Sequence, residues 1–379
     1  MIERVPRRFG RAAGLCATVA VLVSASAAFA GQSVLFSGSV YADYWGIPDK
    51  AVATRSPSGL VPEAAVKLSI DLNDTFSFSA KACASCHGVE PDHLMLEYMP
   101  SVHFNVQVGR LSIPFGEYSS RIDPAAHKTV SAPLIYDMGR MAYGERSAMN
   151  LGVVPLPYVD SGAMVYGQWY PVPMLVAWYA VYVTAGMRGG NDLDWTAMRS
   201  APYRDNNGVP AVGGRVALNL ITEPGRLLRD LGAGGSFTAG RYDPAGALDY
   251  QAWALNASTR LSIFTLRGEY AYRRTELVRG QAYAFELADD WFRKDGWYAE
   301  LEHPLTSWAS AVYRVDQLRR TGVPLPGSTL SARSSISRAT AGIHVTPLDS
   351  LFAKVSYEYW SARDFDDFHS IHMGLGGAF

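Results

Sequence analysis

The sequence is short of net charge, of cysteine and of long apolar runs. Thirty-four Lys and Arg stand against 35 Asp and Glu, a formal net charge of −1 over 379 residues, whereas a nucleic-acid-binding chain should be basic. Only 18% of the residues are charged and 48% are hydrophobic, which excludes a polar, disordered chain. Three cysteines are too few for a disulfide scaffold of this length. The longest apolar run, Val172 to Gly186, has 15 residues and contains Pro173, where a spanning helix needs about 20. Ser-centred elbows, phosphate loops and His-Glu zinc helices are also missing, so no hydrolase or transferase site is legible. What is plentiful is 35 Gly, 21 Pro, 21 Tyr, 15 Phe and 9 Trp. So many turn formers exclude a helical bundle and point to an aromatic, all-β chain.

The first thirty residues form a separate unit. Arg4, Arg7, Arg8 and Arg11 make a positive head, Leu15 to Ala28 is apolar or small, and Ala28-Phe29-Ala30 fits the small-x-small cleavage rule of an export signal. Leu15 before Cys16 fills a position where lipid attachment needs a small residue, so Cys16 is expected to leave with the signal. Residues 1–30 are thus read as a signal peptide and 31–379 as the mature chain, with two cysteines left.

Period-two alternation recurs along the mature chain. Leu351, Ala353, Val355, Tyr357 and Tyr359 share one face, opposite Lys354, Ser356 and Glu358. Phe264, Leu266, Gly268, Tyr270 and Tyr272 oppose Arg267, Glu269 and Arg273, and Ala309, Ala311, Tyr313 and Val315 oppose Ser310, Arg314 and Asp316. Such sets lie on opposite faces of a strand. Runs of 10 to 15 residues are long for a soluble sandwich and suit a tilted transmembrane strand. Short breaks at Asn73-Asp74, Pro100-Ser101, Pro171-Val172, Ser258-Thr259, Pro304 to Thr306 and Pro347 to Ser350 alternate with long polar loops at 46–63, 112–160, 187–210, 276–295 and 320–335. The pattern predicts a transmembrane antiparallel β-barrel of about 16 strands, set in the bacterial outer membrane with lipid around it. The chain ends in Ile371, Met373, Leu375 and Phe379 on one face, which resembles the terminal-aromatic strand of bacterial outer-membrane proteins. Val108-Gly-Arg-Leu-Ser-Ile-Pro-Phe-Gly-Glu-Tyr118 is similar to a strand and loop start of phosphate-selective-type porins. The inward charges, among them Lys81, Glu97, Arg215, Arg267, Glu269, Arg314, Lys354 and Glu358, are of both signs, which predicts a wet pore without obvious selectivity.

One motif carries chemistry. Cys83-Ala-Ser-Cys86-His87 has the spacing of c-type haem attachment: two thiols for the two vinyl groups and an adjacent histidine for iron. The attachment requires export, and the signal provides it. A structural disulfide between Cys83 and Cys86 in an oxidising compartment, or a zinc site completed by His87, stays open beside it. Parity places Cys83 inward at the end of the third strand, with Ala84 to Pro91 as the haem-binding connection to the fourth. His93, Met95, Glu97 and Met99 then face inward, followed after the next turn by His103. His87 is the expected proximal iron ligand and Met95 the distal one, with His93 second; His127, Met138 and Met141 of the long 112–160 loop rank lower. Two courses are open for that loop: it folds into the pore, narrows it and covers the haem, with Arg140 against a propionate, or it is a solvated surface loop with a few apolar contacts.

The motif and barrel together resemble the fused cytochrome–porins of iron-oxidising bacteria, except that here the haem segment, 81–103, interrupts the barrel rather than preceding it. The resemblance implies one covalent haem c and electron transfer at or across the outer membrane. A single haem does not cross a hydrocarbon layer about 30 Å thick, so a periplasmic cytochrome or another soluble redox protein is the expected partner. Two other readings stay in view: a general diffusion porin whose CxxC is structural, and a haem-bearing sensor.

Overall fold

Strict alternation makes strands here because it gives each one an apolar face and a polar face that can be kept apart only by a closed sheet. The computed structural model describes residues 33–46, 59–85, 88–136, 152–188, 205–223, 226–276, 285–286, 291–321, 323–324, 333–363 and 366–379. The signal segment 1–30, Cys86, His87, Met138, Arg140 and Met141 lie outside the described residues. The strands are β1 (Ser33–Gly46), β2 (Gly59–Asp71), β3 (Phe76–Ser85), β4 (Gly88–Ser101), β5 (Phe104–Ser112), β6 (Val159–Val172), β7 (Leu175–Thr184), β8 (Ala211–Leu220) and β9 (Leu228–Arg241). They continue as β10 (Asp249–Leu261), β11 (Phe264–Glu276), β12 (Phe285–Glu286), β13 (Trp291–Pro304), β14 (Ala309–Thr321), β15 (Val323–Pro324), β16 (Arg333–Leu348), β17 (Leu351–Ala362) and β18 (Phe368–Ala378). The two-residue β12 and β15 pair with each other outside the barrel; the other sixteen strands form one closed antiparallel barrel, each paired with its sequence neighbour and β18 with β1.

Closure runs over the register Ser39↔Ala378 to Gly46↔Ile371. Reciprocal backbone bonds between Gly38 and Phe379 extend it by one step. Both chain ends lie on the side of the short turns. The breaks at Asn73-Asp74, Pro304 to Thr306 and Pro347 to Ser350 fall at corners, whereas three other corners come two to four residues later than the breaks suggest, at Val102-His103, Pro173-Met174 and Ser262-Ile263. Alternation runs on through Pro100, Pro171 and Ser258, because a proline at the end of an edge-to-corner segment interrupts one bond of the ladder and not the ladder itself. Ser262 turns the chain with a φ of +55°. The β8–β9 connection, 221–227, is a further corner on this side that the list of breaks lacks.

The exterior is apolar through its middle. Val108, Val181, Val216, Leu255, Val355 and Ile371 all point out and are exposed. Trp169, Trp308 and Phe379 are exposed toward the short-turn rim, and Tyr359 toward the long-loop rim. A closed barrel with such a belt is the form in which strands satisfy every backbone group in lipid, and it is how proteins cross the bacterial outer membrane. Inward positions alternate with these; Lys354, Ser356 and Glu358 on β17 are all buried.

The belt yields a depth-dependent expectation. Val355→Arg, at mid-belt, costs about 2–4 kcal/mol of barrel stability, while Tyr359→Arg near the rim costs about 0–1 kcal/mol. Equilibrium urea unfolding from lipid vesicles measures both, and equal losses at the two positions would contradict the assigned depth.

Candidate functional site: a loop folded across the lumen

The described stretch after β5, residues 113–136, folds into the barrel rather than over its rim. It leaves β5, turns through a 3-10 segment at Tyr118–Arg121 and a second at Leu134–Tyr136, and lies against the opposite wall from β9 to β17. Its anchor on β11 is Glu269, which is buried. That carboxylate accepts from the backbone N–H groups of Glu117 and Tyr118 at 3.3 Å each, and from the hydroxyls of Tyr136 and Tyr298. Gly116 makes the approach possible. Its φ is +73°, and a Cβ there would sit 1.7 Å from the Tyr136 hydroxyl and 2.1 Å from Glu269 Oε1.

A second anchor lies on β14, β16 and β17. Leu134 N–H donates to Asp316 Oδ1 at 3.1 Å, Val130 N–H to Ser356 Oγ at 3.0 Å, and the Ser131 hydroxyl to Glu358. Arg314 donates to the Thr129 hydroxyl at 2.8 Å and to the Ser131 carbonyl at 3.1 Å, and Arg338 to the Ala132 carbonyl. These charges are themselves chained: Arg314 to Asp316 at 3.2 Å, Asp316 to Arg338 at 3.1 Å, Arg338 to Glu358 at 3.6 Å and Glu358 to His372 at 3.2 Å, all fully buried. A buried chain of this kind is held by its mutual bonds, and removing one member leaves an unpaired charge.

Beside its polar anchors the loop also buries apolar side chains. Phe115, Tyr118, Val130, Leu134, Ile135 and Tyr136 pack with Tyr158, Tyr250, Tyr298, Leu318, Ile336 and Trp360 of the wall. Tyr118 stacks on Tyr136 at 5.5 Å and meets Tyr298 edge-on at 6.4 Å. A hydrophobic core thus fills part of the lumen, as the inward course of the loop requires. The apolar run from Val130 to Tyr136 was its signal. Arg121 crosses this core to Glu117 and to Glu300 at 3.0 Å, and those carboxylates hold its guanidinium pKa above the ordinary value. His127 is enclosed beneath the loop, its Nδ1 facing the carbonyls of Arg121 and Asp123 at 3.2 and 3.0 Å. Burial and the nearby Lys354 charge push its pKa well below the usual imidazole range, so it stays neutral.

The residues around the CxxCH motif divide between expectation and surprise. Cys83 points into the lumen and is half-buried, with Lys81, Asp92, Asp123 and Glu63 as its charged neighbours. The connection itself is shorter than expected. β3 runs on to Ser85 and β4 begins at Gly88, with Cys83↔Glu90, Ala84↔Val89 and Ser85↔Gly88 in register, so the eight-residue span Ala84 to Pro91 narrows to a tight hairpin. His93 and Met95 face inward as the parity requires. Register sets His93 opposite Lys81 and Met95 opposite Ser79, about 7 and 13 Å along the strand from Cys83. His93 Nε2 shares a 3.0 Å hydrogen bond with Ser79, and its Nδ1 lies 3.7 Å from Asp92. Met95 packs against the lumen core. His103 is not on the lumen wall with them; it stands exposed at the Val102-His103 corner, its Nδ1 2.7 Å from the Gln168 carbonyl.

The fold defines a sixteen-stranded outer-membrane barrel narrowed by an inward-folded loop, and solved structures of that class share it. The chain is similar to the anion-selective porin from Comamonas acidovorans, at 13% identity and a TM-score of 0.61, covering 92% of this chain and 100% of that one. It is likewise similar to a Salmonella typhi OmpF complexed with daunomycin, at 11% identity, TM-score 0.56 and coverage of 92% and 98%. A loop-deletion mutant of Vibrio cholerae OmpT matches at 10% identity, TM-score 0.55 and coverage of 92% and 100%. No protein-family model matches the chain, and no curated protein matches it in sequence. At these identities the likeness is one of fold.

The Glu269 anchor can be tested directly. Glu269→Ala leaves two loop N–H groups and two hydroxyls without their acceptor, at about 1–3 kcal/mol for each buried donor. Hydrogen exchange over 113–136 is expected to speed up while the barrel strands stay protected. Unchanged exchange in the loop would show that Glu269 does not hold it.

Proposed function

We propose that the chain is a diffusion channel of the outer membrane, with residues 113–136 as the constriction that sets solute size. The observation that carries this reading is the double anchoring of that segment, on Glu269 and on the Asp316–Glu358 chain, across the lumen of a closed barrel. Such a loop narrows a pore at mid-depth and keeps it narrow without relying on a surface lid. Around it the lumen carries both signs: Lys67 and Lys81 on β2 and β3, Glu97 on β4, Arg215 on β8, and Arg267 paired with Glu302 at 3.1 Å. Small hydrophilic solutes of either charge suit such a lining. The fold shared with proteins described as porins supports the reading. Purified protein in liposomes is expected to admit small sugars and to exclude larger ones, as read by swelling rate. Vesicles as tight as protein-free controls would overturn the channel.

A second reading rests on Cys83-Ala-Ser-Cys86-His87. Cys83 faces the lumen at the long-loop rim, which is the direction an attachment thiol needs. The charged surroundings, Glu63, Lys81, Asp92 and Asp123, suit a haem at the wet mouth of the pore rather than one sunk in an apolar pocket. His93 is already engaged by Ser79 and Asp92, and Met95 lies deeper in the apolar cluster, so a distal ligand from either would require local rearrangement. When bound, a haem there would supply one-electron chemistry, with His87 on iron and a soluble periplasmic redox protein as partner. A haem-stained denaturing gel of the mature protein decides the matter: a stained band is expected from covalent attachment, and a colourless one leaves Cys83 and Cys86 to a disulfide or zinc.

A further inference from the structure

Below the second loop anchor, three side chains of the wall form a row of their own. Ser310 on β14 pairs with His344 on β16, and His344 pairs with Lys354 on β17. All three point inward and are buried, so their side chains stand next to one another across the ladder. Lys128 of the loop closes the row from the lumen side: its ammonium donates to Ser310 Oγ at 3.1 Å and pairs with Glu302. Its side chain keeps 30% of its surface exposed, so Lys128 is the member of the group that borders the lumen.

The donors in this row outnumber the acceptors. Lys354 Nζ donates to the Pro124 carbonyl. Otherwise it faces the rings of Tyr41 and Phe352, at 5.4 and 5.2 Å from their centroids. No carboxylate lies within ion-pair distance of it among the described residues. His344 is 6% exposed, and its Nε2 has no hydrogen-bond partner among those residues. An ammonium and an imidazole nitrogen left in this state carry the desolvation cost of burial without its compensation. The carboxylates that face the group are Glu302, held by Lys128 and Arg267, together with Asp123 of the loop, Glu63 on β2 and Asp43 on β1, which reaches the row across Gly374. They offset part of the charge and reach neither His344 Nε2 nor the free donors of Lys354.

We propose that Ser310, His344 and Lys354, closed over by Lys128, form an oxyanion subsite on the wall of the conduit, taking the carboxylate or phosphate group of a passing solute. Two acceptor oxygens on one small anion meet the Lys354 ammonium and an N–H of His344, and such charge-assisted bonds are the strong ones. Glu302 keeps Lys128 from saturating the site, so the anion rests there and leaves. The inference builds on the channel reading and adds a solute class to it.

Single-channel recording of the whole mature protein in planar bilayers tests it, with chloride as the current carrier and inorganic phosphate or acetate added separately. Saturable block by at least one of the two is expected, and the more potent of them names the preferred head group. In Lys354→Gln and in His344→Phe the half-blocking concentration should rise about tenfold, as suits the loss of a charge-assisted bond, and Lys354→Arg should restore it. Lys128→Gln, on the exposed side of the row, should shift the block in the same direction and serves where the wall variants do not assemble. Equal block in the wild type and in every assembled variant, or no block by either anion in the wild type, would overturn the subsite while leaving the channel intact. Correctly assembled protein that never opens would overturn the channel reading and the subsite with it.

Discussion

Everything in this molecule depends on closing a sheet edge on itself. In hydrocarbon an unpaired backbone N–H or C=O has no water to turn to, and a sixteen-strand sheet left open would expose two such edges. The β1–β18 register from Ser39↔Ala378 to Gly46↔Ile371, with the Gly38–Phe379 bonds beyond it, removes both. Closure also separates two solvents. It gives period-two alternation its meaning, because each outward residue meets lipid and each inward one meets a lumen.

The lumen is where the molecule departs from a plain tube. A wall bearing Arg314, Asp316, Arg338, Glu358 and His372 on adjacent strands presents charges that are costly to bury unless they bond to one another and to something across the gap. The β5–β6 loop supplies that partner with its own carbonyls, hydroxyls and N–H groups. Its aromatic residues then fill the space behind, so polar anchors and apolar packing hold the same segment. Glu269 does on β11 what the Asp316–Glu358 chain does on β14 to β17. A segment fixed at both places constricts as a rigid part of the barrel.

The same arrangement limits what the CxxCH hairpin can do. Cys83 is on the lumen face, but the residues that parity sends inward with it, His93 and Met95, are drawn into other contacts. One is held by Ser79 and Asp92, and the other by the lumen core. Parity sorts residues by face and is silent on depth, and depth along the strand is what separates Met95 from the rim.

The sequence alone determined the strand count, the inward and outward sets and the side on which the long loops lie, because those follow from a period of two and from the spacing of turn residues. It also placed Cys83, His93 and Met95 on one face. It misplaced three corners by two to four residues, since alternation does not stop at a proline. It put His103 on the wall, although that residue belongs to a corner. Only the tertiary structure decided between the inward and the surface course of the long loop, made Glu269, Asp316 and Glu358 the anchors of 113–136, and set His344 and Lys354 side by side. These facts join residues up to 230 positions apart in the chain, on strands that only the closed barrel brings together. Local pattern carries no record of such pairings.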